Sequence, residues 1–170
     1  PWKEYIQFGV FRGPLKRDKW AKTYKKHFEK EIINITKVFK ALPFKGESLP
    51  SDNFFNFEND KCHGRCIGGR KEAIKRLNIF LNNEIYSYGK NISSPAKSYF
   101  SCSRLSPYIT MGCISLKEVL KHTKLLKTKD SKMFTSRLFW HCHFIQKLET
   151  QPELEFKEYH PYFENIRIKN

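Results

Sequence analysis

Apolar residues recur along most of this chain at the three- and four-residue spacing of helices that bury one face. Tyr5, Ile6, Phe8 and Phe11 cluster to one side of residues 3–12 and predict a short amphipathic helix, which Gly13-Pro14 interrupts. A second helix is predicted from Asp18, a candidate cap, to about Glu31, with Trp20, Tyr24 and Phe28 at i, i+4 and i+8. Residues 43–67 carry turn chemistry at Pro43, Gly46, Pro50, Ser51-Asp52-Asn53 and Gly64. Phe54, Phe55 and Phe57 are expected to pin that loop to a core. Gly68-Gly69 opens a helix over about 70–85, with Ala73, Leu77, Phe80 and Leu81 as its buried stripe and Arg70, Lys71, Lys75 and Arg76 facing away. Residues 86–100 read as a polar connection, and helical signal resumes at 104–112. Ser115 with Glu118 forms a capping box for the next helix. A Lys-rich connector over 121–132 leads to the strongest helix, about Ser131 to Glu149, which carries Met133, Phe134, Leu138, Trp140, Phe144, Ile145 and Leu148. No strand-like alternation or internal repeat is present. The predicted fold class is all-α, multi-helical, with one long irregular loop.

Charge changes this picture. The formal net charge is +15, from 32 basic and 17 acidic residues, the footprint of a nucleic-acid or anionic-surface binder. Of the basic residues 24 are Lys and 8 are Arg, a bias that an AT-rich genome would also give. Residues 1–46 hold 12 basic and 4 acidic residues, and the lysines there read either as a solvated face or as a phosphate-tracking surface. Five cysteines, an odd number, and no signal-peptide pattern argue for reduced thiols. No apolar run approaches a bilayer span, so a soluble, cytoplasmic protein with no membrane association is expected. The chain opens on Pro1-Trp2 without a methionine, and a fragment of something longer is expected.

The densest chemistry lies in Ser101-Cys102-Ser103-Arg104-Leu105-Ser106-Pro107-Tyr108. Hydroxyls and unpaired N–H groups at a helix start, with a guanidinium beside them, can hold phosphate. Ser101 and Ser103 read equally well as plain helix caps. Cys62-His63-Gly64-Arg65-Cys66 has no second ligand pair at finger-like spacing. His141, Cys142 and His143 fall about 100° apart around a helix and cannot all ligate one ion, so no metal is expected.

Three ordered blocks are more specific. They are Gly68-Gly69 through Leu81, as G-G-x3-A-x3-L-x2-F-L; Tyr88, Ser94-Pro95 and Cys102-Ser-Arg-Leu-Ser-Pro-Tyr-x3-Gly-x2-Ser115; and Phe134-x3-Leu138-x-Trp140. In this order and spacing they resemble the helical flavin-binding domain of the photolyase/cryptochrome family, over roughly residues 66–150. Gln7-Phe8-Gly9-Val10, Lys16-Arg17-Asp18-x-Trp20 and Ser136 through Lys147 resemble a bacterial branch of it.

The resemblance implies a helical lead-in over 1–46, an irregular loop over 47–67 and the N-terminal portion of the FAD-binding domain over 68–170. It implies that Cys102, Ser103, Arg104, Leu105 and Ser106 hold the FAD pyrophosphate, that Tyr88 contacts FAD, and that His141 faces the flavin. Trp140 would line the substrate cavity, where stacking on a flipped-out base is worth about 1–3 kcal/mol. Arg137 would lie beside it, towards damaged DNA. The implied activity is light-driven repair of pyrimidine dimers by electron transfer from FAD, in a protein that is monomeric when full length; a blue-light photoreceptor without repair is the alternative. The family's remaining flavin contacts and relay tryptophans come later in the domain, so weak FAD binding is expected of this chain alone, with no catalytic residue within it. Four departures stand out. Cys102 replaces the usual Thr, Arg137 stands where photolyases carry a carboxylate, Ile92 stands where an arginine is expected, and two residues are inserted between Pro95 and the phosphate motif.

Overall fold

The computed structural model describes residues 2–33, 43–48, 50–55, 62 and 64–163. Its helices are α1 (Arg17–Glu29), α2 (Arg70–Asn82), α3 (Tyr88–Asn91), α4 (Pro95–Ser101), α5 (Ser106–Thr110), α6 (Leu116–Leu125) and α7 (Lys129–Thr150), and no strand occurs among the described residues. The all-α expectation holds. Helices α1, α2, α3 and α6 pack against α7, whose residues Phe134, Leu138, Cys142 and Gln146, four apart, are buried. Phe80 of α2, Tyr88 of α3 and Phe134 of α7 form a triangle of edge-packed rings with centroids 4.7–5.8 Å apart. On another side of α7, Trp20 and Tyr24 of α1 pack on Phe139 at 4.9 and 5.1 Å.

Helix ends follow the sequence closely where a side chain fixes them. Ser115 and Glu118 make the reciprocal capping box, and Thr128 caps α7 by accepting from the Ser131 N–H. The buried stripe of α2 is Ala73, Leu77, Phe80 and Leu81, as expected. The connector predicted over 121–132 shrinks to residues 126–128, because α6 runs on to Leu125 and Thr128 starts α7 early. So short a link makes α6 and α7 direct neighbours.

Several expectations fail. Residues 3–12 form no helix. Gly9 and Gly13 have φ of +64° and +85°, and the backbone polar groups are held by side chains from elsewhere. The Trp20 indole donates to Gly9 O at 2.9 Å. Gln146 accepts from the Phe11 N–H at 2.7 Å and donates to Phe11 O at 3.0 Å. A Cβ on Gly9 would meet Phe28 at 2.8 Å and Tyr24 at 2.9 Å, so only glycine lets this segment lie on α1. Asp18 is not the cap of α1; Lys16 occupies that position without a side-chain bond, and Asp18 sits in the first turn, where its charge favours the helix dipole. That helix ends at Glu29 rather than Glu31.

Phe54 and Phe55 do not pin the loop to the core: they lie on a 3-10 turn, Asp52–Phe55, and are 73% and 53% exposed. Phe57 and His63 lie outside the described residues. Residues 86–100 are not a plain connection but contain the end of a 3-10 turn (Glu84–Ser87), α3 and most of α4, which Pro95 opens from Ser94. The helical signal at 104–112 narrows to Ser106–Thr110. Arg76 does not face away, but is largely buried in an ion pair with Glu84. Gly89 lets α3 close on α7: its N–H donates to Asp130 Oδ1 at 2.6 Å, and a Cβ would meet that oxygen at 2.8 Å and Met133 Sδ at 2.7 Å.

One contact ties the start of α2 to the start of α6. Arg70 donates to Glu118 through both terminal nitrogens, at 3.2 and 2.5 Å. Those bonds, with the Ser115 N–H and hydroxyl, hold the Glu118 carboxyl down at about 2. A folded-state pKa below that of the unfolded chain contributes stability that is fully present above about pH 4.5 and is lost as the pH falls towards 2. Glu118→Gln is therefore expected to flatten the loss of urea stability across that window. Parallel losses in the two proteins would count against the assignment.

Candidate anion-binding site

Between α4 and α5 the chain makes a tight turn through Cys102, Ser103, Arg104 and Leu105. Cys102 is extended, Arg104 takes the left-handed conformation with φ of +53°, and Leu105 is buried as the anchor. The Ser103 hydroxyl accepts from the Leu105 N–H at 3.4 Å. The Arg104 guanidinium lies over the Tyr99 ring, 4.3 Å from its centroid. Ser106, exposed, begins α5.

The structure corrects the role of Ser101. It neither caps a helix nor faces an anion, but ends α4, buried, where Asn91 Nδ2 donates to its hydroxyl at 2.9 Å and the Ser87 hydroxyl lies 3.3 Å away. Ser103 does not cap a helix either, since Leu105 occupies the cap position of α5. With only five residues, α5 supplies little of the dipole that the sequence suggested. The turn's own cation is Arg104; Arg76, paired with Glu84, comes near enough to feel it. Burial and Arg104 both push the Arg76 pKa down, and its Nε is buried without a hydrogen-bond partner. The helical pattern alone puts Arg76 on the outer face, since nothing in it signals an ion pair with Glu84 beyond the helix end.

Tyr88 is a core residue by packing, 5% exposed, and burial pushes its hydroxyl up to about 12. Its ring packs edge-on against Phe134 at 5.4 Å, so α3 meets α7 at Tyr88. The Cys102 thiol is half-buried and its pKa is raised by desolvation, leaving it protonated and a weak hydrogen-bonding group.

Arg137, Trp140, His141 and Phe144 follow i, i+3, i+4, i+7 and share one face of α7. The Arg137 guanidinium lies 5.0 Å from the Trp140 ring centroid. Trp140 is 48% exposed, which separates it from the buried stripe of the same helix. His141 is half-buried edge-on against Phe8, 5.3 Å between centroids, and burial lowers its pKa, keeping the ring neutral. It therefore packs on the N-terminal segment, apart from the cluster at Tyr88. Cys142 faces Tyr24 inside the core, its thiol pushed up to about 12. His143 stacks on Phe139 and is also held neutral by burial. Among the described residues, no group of His, Cys, Asp or Glu is placed to hold a metal ion, and Cys62 and Cys66 are exposed.

The comparisons with known proteins match this chain to no family model, no curated protein and no solved structure. Among the described residues no helix is long and apolar enough to cross a membrane.

Proposed function

We propose that this chain is the N-terminal part of a flavin-binding domain of the photolyase type, from a light-driven enzyme that repairs pyrimidine dimers in DNA. The observation that carries the reading is the packing of Tyr88 on Phe134 of α7 at 5.4 Å, which joins the second and third resembling blocks, beside a tight turn at Cys102–Leu105 that presents Ser103 and Arg104. The residues of the turn suit the pyrophosphate of FAD: Ser103 offers a hydroxyl, Arg104 a cation, and Arg76 a buried nitrogen without a partner that an anion would satisfy. When bound, FAD supplies light absorption and the electron that splits the dimer. The chain's own work is binding and orientation. Arg104 offsets the phosphate charge, Leu105 fixes the turn, and the exposed ring of Trp140 offers a stacking surface for a base turned out of the duplex.

One observation favours a second reading, a blue-light photoreceptor without repair activity. The exposed Arg137 puts a cation beside Trp140 where recognition of a thymine edge calls for a hydrogen-bond acceptor.

The natural gene product is expected to purify with bound FAD and to remove dimers from ultraviolet-irradiated oligothymidine under blue light. Arg104→Glu is expected to lower flavin occupancy by about tenfold or more, since a charge-assisted phosphate contact becomes a repulsion. Bound FAD with unchanged dimers would select the photoreceptor. A colourless protein that gains no flavin on reconstitution would defeat both readings.

A further inference from the structure

About 200° around α7 from the Arg137 face, two residues along the helix, lies a surface that the flavin reading leaves unused. There α1, α6 and α7 leave a cleft of about 390 Å³, floored by Ala21, Tyr24, Phe28, Leu120 and Phe139. It continues past Lys124, Lys132 and Thr135 into a second hollow of about 470 Å³, towards Lys127. At its other end, beside Phe28 and Leu120, the walls carry Lys117, Lys121 and two acids, Glu29 and Glu31.

Two features define what could lie in it. The rim is cationic: Lys121, Lys124, Lys127 and Lys132 are exposed, and none makes an ion pair with an acid among the described residues. The adjacent Asp130 is committed to the Gly89 N–H. The floor is apolar, but its rings are engaged with each other. Tyr24 packs against Phe28 at 4.4 Å and edge-on to Phe139 at 5.1 Å. Rings already packed on one another at the floor of a cleft argue against a single strand that binds by stacking on projecting aromatics. A concave apolar floor also suits a flat lipid surface poorly. An apolar floor between helices, edged with positive charge, is the shape and polarity that takes the apolar face of a helix whose flanks are acidic. Lysines, as compact charges on flexible stems, can meet carboxylates along such a helix without demanding one register.

We infer that the groove between α1, α6 and α7 is a docking site for an acidic amphipathic helix of a partner protein. The apolar anchors of that helix would cover Ala21, Phe28 and Leu120, and its Glu and Asp residues would face Lys121, Lys124 and Lys132. This holds whether or not the turn after α4 binds flavin, because the groove shares no residue with that turn.

The test is fluorescence anisotropy of the full chain with a labelled peptide of about 15 residues, with Leu at helical i, i+3, i+4 and i+7 positions and Glu between them. Saturable binding that weakens with salt is expected. The double reversal Lys124→Glu/Lys132→Glu, at exposed positions, is expected to weaken it by about tenfold or more. Ala21→Trp and Thr135→Phe, checked for folding by circular dichroism, fill the groove without touching its charge and are expected to weaken it as well. The inference fails if the peptide does not saturate. It also fails if both groove-filling variants bind like the parent. Displacement of the peptide by a single-stranded oligonucleotide or anionic vesicles whose own binding ignores both fillings would overturn it too, marking the rim as a general polyanion surface.

Discussion

Trp20→Ala is expected to destabilise the fold by about 3–5 kcal/mol, the range for deleting a large buried aromatic. The indole is 1% exposed and touches Tyr24, Phe139 and His143, at 5.2, 4.9 and 5.4 Å between ring centroids. It also donates to Gly9 O, so truncation both opens a cavity under α7 and strands a carbonyl of the N-terminal segment. Domains of this size have only about 5–15 kcal/mol in total, so the variant should sit near its unfolding midpoint at moderate denaturant. Trp20→Phe separates the two effects. It keeps most of the ring volume and leaves Gly9 O without its donor, for a cost of about 1–3 kcal/mol. Urea denaturation followed by circular dichroism reads both. If the alanine variant loses less than about 1 kcal/mol, Trp20 is not the joint between α1 and α7 that its burial implies.

Gln146→Leu is expected to have the next largest effect, about 2–4 kcal/mol, although it makes a buried position more apolar. Gln146 is 3% exposed, and its amide satisfies both polar groups of the Phe11 peptide from 135 residues away. Leucine fills a similar space but leaves a donor and an acceptor of the main chain without partners at a part-buried site. The cost should appear locally before it appears globally. Hydrogen exchange at the Phe11 amide should speed up under conditions where the amides of α6 and α7 are still protected. Uniform exchange changes across all of these would mean that the clamp is not a separable contact.

What the sequence made legible follows from how locally each element is determined. The α2 stripe, the Ser115–Glu118 box and the long α7 depend on residues within a few positions of one another, and they are found where the pattern puts them. The segment 3–12 has the apolar spacing of a helix, yet its backbone is satisfied by Trp20 and Gln146, which no local window contains. The short helices α3 and α4 were hidden for a related reason. They depend on Gly89 closing on Asp130 and on the buried hydroxyl of Ser101, both tertiary contacts in a stretch that looks merely polar. At the candidate site, Cys102 to Ser106 could be read as an anion-accepting turn, but the helix start credited with the charge is five residues long. Arg76 adds a buried Nε without a partner from a different helix, held there by its ion pair with Glu84, which no local pattern signals.

The reach of the Gln146 clamp also sets the order in which the molecule can assemble. Helices α6 and α7 meet across three residues, with a cap on each, and closing so short a loop costs little entropy. The N-terminal segment must instead find a glutamine 135 positions downstream, on a helix that has to exist before its amide can be addressed. Residues 2–13 are thus expected to close over α1 and α7 last, once the surface beneath has formed.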